Sequence, residues 1–238
     1  MDLYRVKEAI LHFCLPSLCF CCSNDLPFGY KGPLCPHCLR ELFYIRSPYC
    51  KRCGVYLKNG GEVCHTCRNK KYNFDFSRSV FMYNDEISSV ISAYKYKKMD
   101  WLSDWFSIEM VKKFKDYTEF TGYDSLIYIP ISARKIRKRG FNQTYLIAKK
   151  LSAMLGIELI ESAVIKKKDA RNQVGLDAHE RAFNIKDSFE LVDHSRINGR
   201  NIIIIDDVAT TMSTIDEMAG ILKSGGAKKV SAYTIARE

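Results

Sequence analysis

Residues 202–220 read IIIIDDVATTMSTIDEMAG. Four consecutive isoleucines mark a strand buried on both faces, as in a parallel sheet covered by helices. Asp206 and Asp207 follow at its carboxyl end, where open α/β sheets bind ligands. The loop Ala209-Thr210-Thr211-Met212-Ser213-Thr214 then runs into a helix. Its backbone N–H groups, its hydroxyls and the positive helix end together suit a phosphate monoester. The same residues also fit a plainer role, with Thr214 as N-cap, Glu217 closing a T-x-x-E capping box, and the aspartates merely favouring the helix dipole. Local chemistry leaves both open.

Strand and helix patterns alternate on either side of this stretch. Ser79 to Tyr83 reads as a strand, Glu86 to Lys98 as a helix with Ile87, Val90, Ile91 and Tyr94 inward, and Asp100 to Tyr117 as another helix. Ser125 to Ile131 is a strand followed by a basic turn and a helix from Phe141 to Leu155 that stops at Gly156. A short strand near Ala163 to Lys166, a long polar stretch, a helix ending at Gly225-Gly226 and a strand from Lys229 to Ile235 complete the pattern. The expected fold class is α/β, a mostly parallel sheet with helices on both faces.

A different chemistry occupies the first 74 residues. All ten cysteines lie before residue 68, and eight form C-x-x-C pairs: Cys19/Cys22, Cys35/Cys38, Cys50/Cys53 and Cys64/Cys67. A C-x-x-C turn presents two thiolates to one tetrahedral ion, and a second pair completes a four-thiolate site, so four pairs predict two structural Zn2+ ions. Disulfides would require a secreted chain, and Ala9 to Cys22 lacks the basic flank and cleavage site of a secretion signal. That segment reads as a short amphipathic helix carrying Val6, Ile10 and Phe13 on one face. Sequential pairing of the cysteines has hairpin-sized spacers; interleaved pairing is also open. His37 and His65 lie inside knuckles whose thiols already supply the ligands, Gly54 suits a positive-φ turn, and Cys14 and Cys21 are left over. The chain therefore divides into a double zinc-ribbon module over 1–74 and an α/β domain over 75–238.

Formal net charge is +10, from 37 Lys and Arg against 27 Asp and Glu, which favours polyanionic partners. The charge gathers in Arg134, Lys135, Arg137, Lys138 and Arg139, and in Tyr94-Lys95-Tyr96-Lys97-Lys98. Aromatics interleaved with cations, there and in Lys71-Tyr72-Asn73-Phe74, can bind a single nucleic-acid strand by stacking and phosphate contact. The plainer alternative puts Tyr94 in the core and the lysines in solvent. No apolar run is long enough to span a bilayer.

IIIIDDVATTMST is similar to the phosphoribosyl-diphosphate (PRPP) signature of type I phosphoribosyltransferases. Arg139-Gly140-Phe141-Asn142-Gln143, Lys95-Tyr96, and Arg171-Asn172-Gln173 through Leu176, Arg181 and Asn184 to Phe189 resemble the ComF family, which joins a cysteine-rich zinc module to a phosphoribosyltransferase-like domain. The resemblance implies that Asp206 and Asp207 are the catalytic acids, holding ribose hydroxyls near a Mg2+ carried by PRPP. It implies that Ala209, Thr210, Thr211, Met212, Ser213 and Thr214 wrap the 5′-phosphate, and that Ser132, Arg137 and Arg139 face the pyrophosphate. The stretch from Lys168 to Asn184 corresponds to a loop that closes over substrate in active relatives. By the same resemblance the chain binds single-stranded DNA, for which the charge and aromatic pattern makes Lys95, Tyr96, Lys97, Arg134, Lys135 and Lys138 the candidate contacts. It would act with DNA-uptake proteins in natural transformation, in the cytoplasm or at the inner face of the membrane.

Two other functions remain open: an active phosphoribosyltransferase with an amine or base acceptor, and a zinc-ribbon adaptor on an inactive scaffold. Met212 departs from the family, whose loop has glycine there. A left-handed residue 212 would cost a non-glycine about 1–2 kcal/mol and bring a side chain near the phosphate; a right-handed one would leave the N–H aimed at the phosphate at little cost. The intact flanking hydroxyls favour retained but weakened binding.

Overall fold

The computed structural model describes residues 17–167 and 188–238. The expected helix around Val6, Ile10 and Phe13, the thiol of Cys14 and the polar stretch from Lys168 to Asn184 lie outside the described residues. In chain order the elements are α1 (Pro36–Arg40), α2 (His65–Asn69), β1 (Ser77–Met82), α3 (Asp85–Tyr96), α4 (Leu102–Phe114), β2 (Ser125–Tyr128), α5 (Ala133–Arg139), α6 (Gln143–Leu155), β3 (Glu158–Leu159), β4 (Val164–Lys166), β5 (Phe189–Leu191), β6 (Asn201–Ala209), α7 (Ser213–Ser224) and β7 (Lys229–Arg237).

Five strands form one sheet in the order β1-β7-β6-β2-β3, every neighbouring pair parallel, while β4 and β5 make a separate antiparallel pair. This is the α/β architecture that the alternating pattern predicts. The isoleucine run is fully buried, and its alternation divides the core. Ile203 and Ile205 face a layer built from α3, α4 and α6, whereas Ile202 and Ile204 face a layer built around α7. Each buried isoleucine contributes about 1.5–3 kcal/mol to stability, so this strand fixes the sheet's depth.

Local signals explain where the helices begin and end. Asn84 caps α3 by accepting from the Ile87 N–H at 3.1 Å, and Ile87, Val90, Ile91 and Tyr94 are buried as the periodicity predicts. Gly156, at φ 69°, closes α6. The basic stretch expected as a turn is instead the helix α5, which buries none of its residues. It ends because Gly140 enters the left-handed region, its N–H returning to the Ile136 carbonyl at 2.7 Å. Strand β6 also runs four residues beyond Ile205, so Asp206 and Asp207 belong to the strand's own carboxyl-terminal residues.

The cysteine-rich segment contributes to both layers. Cys19, Leu26, Leu34, Cys38 and Leu42 of the first half join the layer of α3, α4 and α6. Cys50, Cys53, Cys67, Tyr72 and Phe74 of the second half join the layer of α7. Gly54 takes φ 73°, as its knuckle position predicts, and a Cβ there would lie 2.6 Å from the Ser77 carbonyl oxygen.

Candidate functional site

Eight thiols assemble into two groups, Cys19, Cys22, Cys35 and Cys38 in one and Cys50, Cys53, Cys64 and Cys67 in the other, with all ligand atoms of a group within 4.8 Å of one another. This is the sequential pairing. The Cys22 and Cys35 sulphurs lie 3.7 Å apart, as do those of Cys53 and Cys64. That separation matches the edge of a tetrahedron, about 3.8 Å, for sulphurs bound about 2.3 Å from Zn2+. It is far from the roughly 2.05 Å of a disulfide.

Backbone N–H groups supply the thiolate-stabilising partners that a metal site needs. Cys35 N–H donates to Cys19 Sγ at 3.3 Å, and Cys64 N–H donates to Cys50 Sγ at 3.4 Å. Burial opposes ionisation of both sulphurs, but the surrounding N–H groups outweigh it, bringing Cys19 to about 6 and Cys50 to about 7. Burial instead pushes Cys38 and Cys67 up. Two four-cysteine clusters with these donors fit a double zinc ribbon, and His37 and His65 are exposed and belong to neither cluster.

The acidic pair sits where β6 ends. Asp207 is buried and fully engaged: Lys95 Nζ lies 2.7 Å from its Oδ1, Gln143 Nε2 donates to its Oδ2 at 3.0 Å, and the Val208 N–H donates to Oδ1 at 2.7 Å. Asp206 accepts the Asp207 N–H at 2.8 Å. Burial pushes its carboxyl up to about 7, and the adjacent Asp207 charge adds to the rise; the Asp207 N–H and the positive charges of Lys95 and Lys166 work in the other direction.

The stretch Arg139 to Gln143 holds this pair in place residue by residue. The Arg139 guanidinium lies 5.4 Å from the centre of the Tyr96 ring, and Gly140 stops α5. Phe141 packs on Tyr94, with ring centres 5.4 Å apart. Asn142 caps α6 and donates to the Ile129 carbonyl at 3.2 Å, so the helix is pinned beside β2. Gln143 can then reach Asp207, while its own carbonyl accepts from the Tyr94 hydroxyl at 2.8 Å. Gln143 Oε1 is buried and, among the described residues, has no hydrogen-bond partner. The motif itself draws attention to this region, but periodicity and charge give no sign of Gln143's contact with the acid.

Beyond Ala209, the loop turns through Met212 at φ 67° and ψ 0°. The right-handed alternative is thereby excluded, and Met212 adopts the left-handed conformation that glycine favours. Its side chain does not stand in the loop's open face. It is 2% exposed and packs with Ile215 and Met218 of α7 in the layer that also holds Tyr72 and Phe74. Burial worth about 1.5–3 kcal/mol offsets a backbone cost of about 1–2 kcal/mol. The capping-box reading is corrected as well: α7 starts at Ser213, Met212 holds the N-cap position without a side-chain cap of its own, and the Thr211 hydroxyl accepts from the Ser213 N–H at 3.4 Å. Thr214 therefore lies within the first turn, and Thr210 and Thr211 are exposed.

A protein-family model described as a double zinc ribbon domain matches residues 10–68. Over 224 residues the chain is 27% identical to competence protein F of Haemophilus influenzae, covering 92% of this chain and 96% of that one. It is 28% identical to the DNA utilization protein YhgH of Escherichia coli over 226 residues, covering 94% and 98%. Over nearly its whole length the chain is thus similar to competence and DNA utilization proteins, with a double zinc ribbon at its start. The solved structure of an adenine phosphoribosyltransferase matches with 19% identity and a TM-score of 0.37, over 56% of this chain and 69% of that one.

The remaining positions that the ComF resemblance singles out distribute unevenly around the acids. Ser132 is buried at the start of α5, four residues beyond the end of β2, while Arg137 is exposed on that helix. Arg134, Lys138, Tyr96 and Lys97 are exposed and Lys135 is half-buried. Lys95 is drawn inward onto Asp207 and so is not one of the solvent-facing cations. Tyr72 and Phe74 are buried and stacked on each other, with ring centres 4.7 Å apart, so they offer no face to a base. Tyr94 is likewise core, in line with the plainer alternative. No helix among the described residues is long and apolar enough to cross a membrane.

Proposed function

We propose that the chain serves DNA uptake by binding PRPP, or a related phosphoribosyl ligand, together with single-stranded DNA. The observation that carries the phosphoribosyl half is the acidic pair at the end of β6, with Asp207 held by Lys95 and Gln143, next to a helix start whose N-cap residue, Met212, gives no side-chain cap. Thr210 to Thr214 would take the 5′-phosphate through backbone N–H groups and hydroxyls. Asp206 and Asp207 would hold the ribose hydroxyls near the Mg2+ that accompanies PRPP, and Ser132, Arg137 and Arg139 would meet the pyrophosphate.

The DNA half draws on the names of the relatives, competence and DNA utilization proteins, and on the exposed side chains of Tyr96, Lys97, Arg134 and Lys138. Two measurements test the two halves. Titration of PRPP with Mg2+ into the zinc-loaded protein is expected to raise its melting temperature, and the absence of any rise would refute the phosphoribosyl half. Labelled single-stranded DNA is expected to bind at low salt and dissociate as salt increases, because counterions compete for the strand. No binding even at low salt would refute the second half.

Turnover is a second reading, favoured by one observation. A carboxyl raised to about 7, as in Asp206, can both give and take a proton near neutrality. Pyrophosphate release on incubation with PRPP, Mg2+ and amine or base acceptors, absent in Asp206→Asn, would support it. No release with any acceptor leaves the protein as a binder.

A further inference from the structure

The second four-cysteine cluster and the phosphate loop share one side chain. Arg237, the last residue of β7, is 9% exposed, and its Nη1 donates to the Ala209 carbonyl at 2.9 Å and the Thr210 carbonyl at 2.6 Å. The same nitrogen also contacts the Glu238 carbonyl. Its Nη2 approaches Cys53 Sγ at 3.9 Å. A peptide unit is planar and trans, so its N–H points opposite to its carbonyl. Holding the Ala209 and Thr210 carbonyls on the Arg237 side therefore aims the N–H groups of Thr210 and Thr211 to the other side.

Only a planar fork with several donors reaches both kinds of acceptor at once. Four thiolates around one divalent ion carry a net negative charge, which would orient the Nη2 end of the fork. The second ribbon grips the helix after the loop independently of Arg237. Asn73 N–H donates to Asp216 Oδ1 at 2.6 Å, and Asn73 Nδ2 donates to the Asp216 carbonyl at 3.3 Å. The first cluster shows no such contact with the loop among the described residues.

We propose that Arg237 is a positioning residue that couples metal occupancy of the second four-cysteine cluster to the conformation of the phosphate loop. The ligand's part in this rests on the proposed function, whereas the coupling does not. With the metal bound, the guanidinium is held against Cys53 and fixes the two carbonyls. With the metal lost, that hold is released and the Thr211 peptide is free to turn, while the Ala209 carbonyl keeps the bond it accepts from the Glu238 N–H at 3.1 Å. The second ribbon thus sets the quality of an anion site that contains none of its own residues.

The test uses the full chain loaded with Co2+ in place of Zn2+, comparing the natural protein with Arg237→Gln. The expected result is two metal ions retained, a shifted thiolate-to-cobalt absorption band, and hydrogen exchange across 209–214 faster by at least about tenfold. PRPP with Mg2+ should then bind at least about tenfold more weakly. An unchanged band, whether or not exchange quickens, would reduce Arg237 to a local strut and overturn the coupling. If the natural protein shows no heat with PRPP but the band and exchange respond to Arg237→Gln, the coupling stands and the phosphoribosyl reading falls. Should Arg237→Gln not fold, Arg237→Lys keeps the buried charge on a group that cannot span the sulphur and both carbonyls. Band and exchange values in that variant equal to those of the natural protein would also overturn the proposal.

Discussion

The two ribbons contain the same ligands in the same C-x-x-C pairs, yet they occupy opposite layers of the sheet. The first buries its apolar residues against α3, α4 and α6, and its cluster lies with Leu26, Leu34 and Leu42 in that layer. The second packs on α7, hydrogen-bonds Asp216 near the start of that helix, and touches Arg237, which holds the first carbonyls of the 209–214 loop. Identical metal chemistry therefore has unequal reach. What separates the ribbons is where the chain goes next: the second ribbon leads through Tyr72 and Phe74 directly into β1, whereas the first is followed by another ribbon. The first layer still reaches the site by one route, since α3 carries Lys95 to Asp207.

The route through Lys95 gives the largest expected effect. Lys95→Met leaves a buried carboxylate without its cation, and breaking such a pair costs about 3–5 kcal/mol. Urea denaturation should show a loss of about 3 kcal/mol, with residual solvent access at Lys95 keeping it at the lower end. A loss under about 1 kcal/mol would mean that the first layer has no energetic hold on the site. The next effect depends on pH. Because the folded Asp206 carboxyl is raised from 3.8 to about 7, the folded protein keeps a proton that the unfolded chain releases above about pH 4. Its stabilising contribution is complete below that pH and is lost as pH rises through 7. Asp206→Asn should flatten this decline between about pH 4 and 7 in denaturation curves; an unaltered slope would show that Asp206 ionises normally. The smallest effect concerns Met212. Met212→Gly relieves the left-handed strain but removes a buried side chain from the second ribbon's layer, so stability should fall by about 1–2 kcal/mol. PRPP affinity should change by less than about threefold, since the side chain points into the core; a large gain would mean that the natural loop is obstructed.

Much of this arrangement is legible in the sequence because its causes are local. Four isoleucines in a row, C-x-x-C spacing, a glycine after Cys53 and a glycine after Leu155 each act through contacts or backbone angles within a few residues. The zinc pairing stays open at that level because spacing alone allows two solutions, and only the fold brings Cys19 to Cys35 and Cys50 to Cys64. The basic stretch reads as a turn because its helix buries nothing and leaves no apolar period. Met212 offers no hint of its conformation, because its backbone strain is offset by residues far away in the chain, Tyr72 and Phe74 among them. Gln143 and Arg237 escape a sequence reading for the same reason: their partners lie 64 and 184 residues away, at Asp207 and Cys53.

The most direct measurement sets the ribbons against each other through the proposed ligand. PRPP with Mg2+ is titrated by calorimetry into the natural protein and into Cys38→Ser and Cys67→Ser, with zinc counted in each. Each variant should hold less zinc than the natural protein. Cys67→Ser is expected to weaken binding by at least about tenfold, and Cys38→Ser by no more than about threefold. Equal losses in the two variants, or a greater loss in Cys38→Ser, would contradict the assignment of the phosphate loop to the second ribbon.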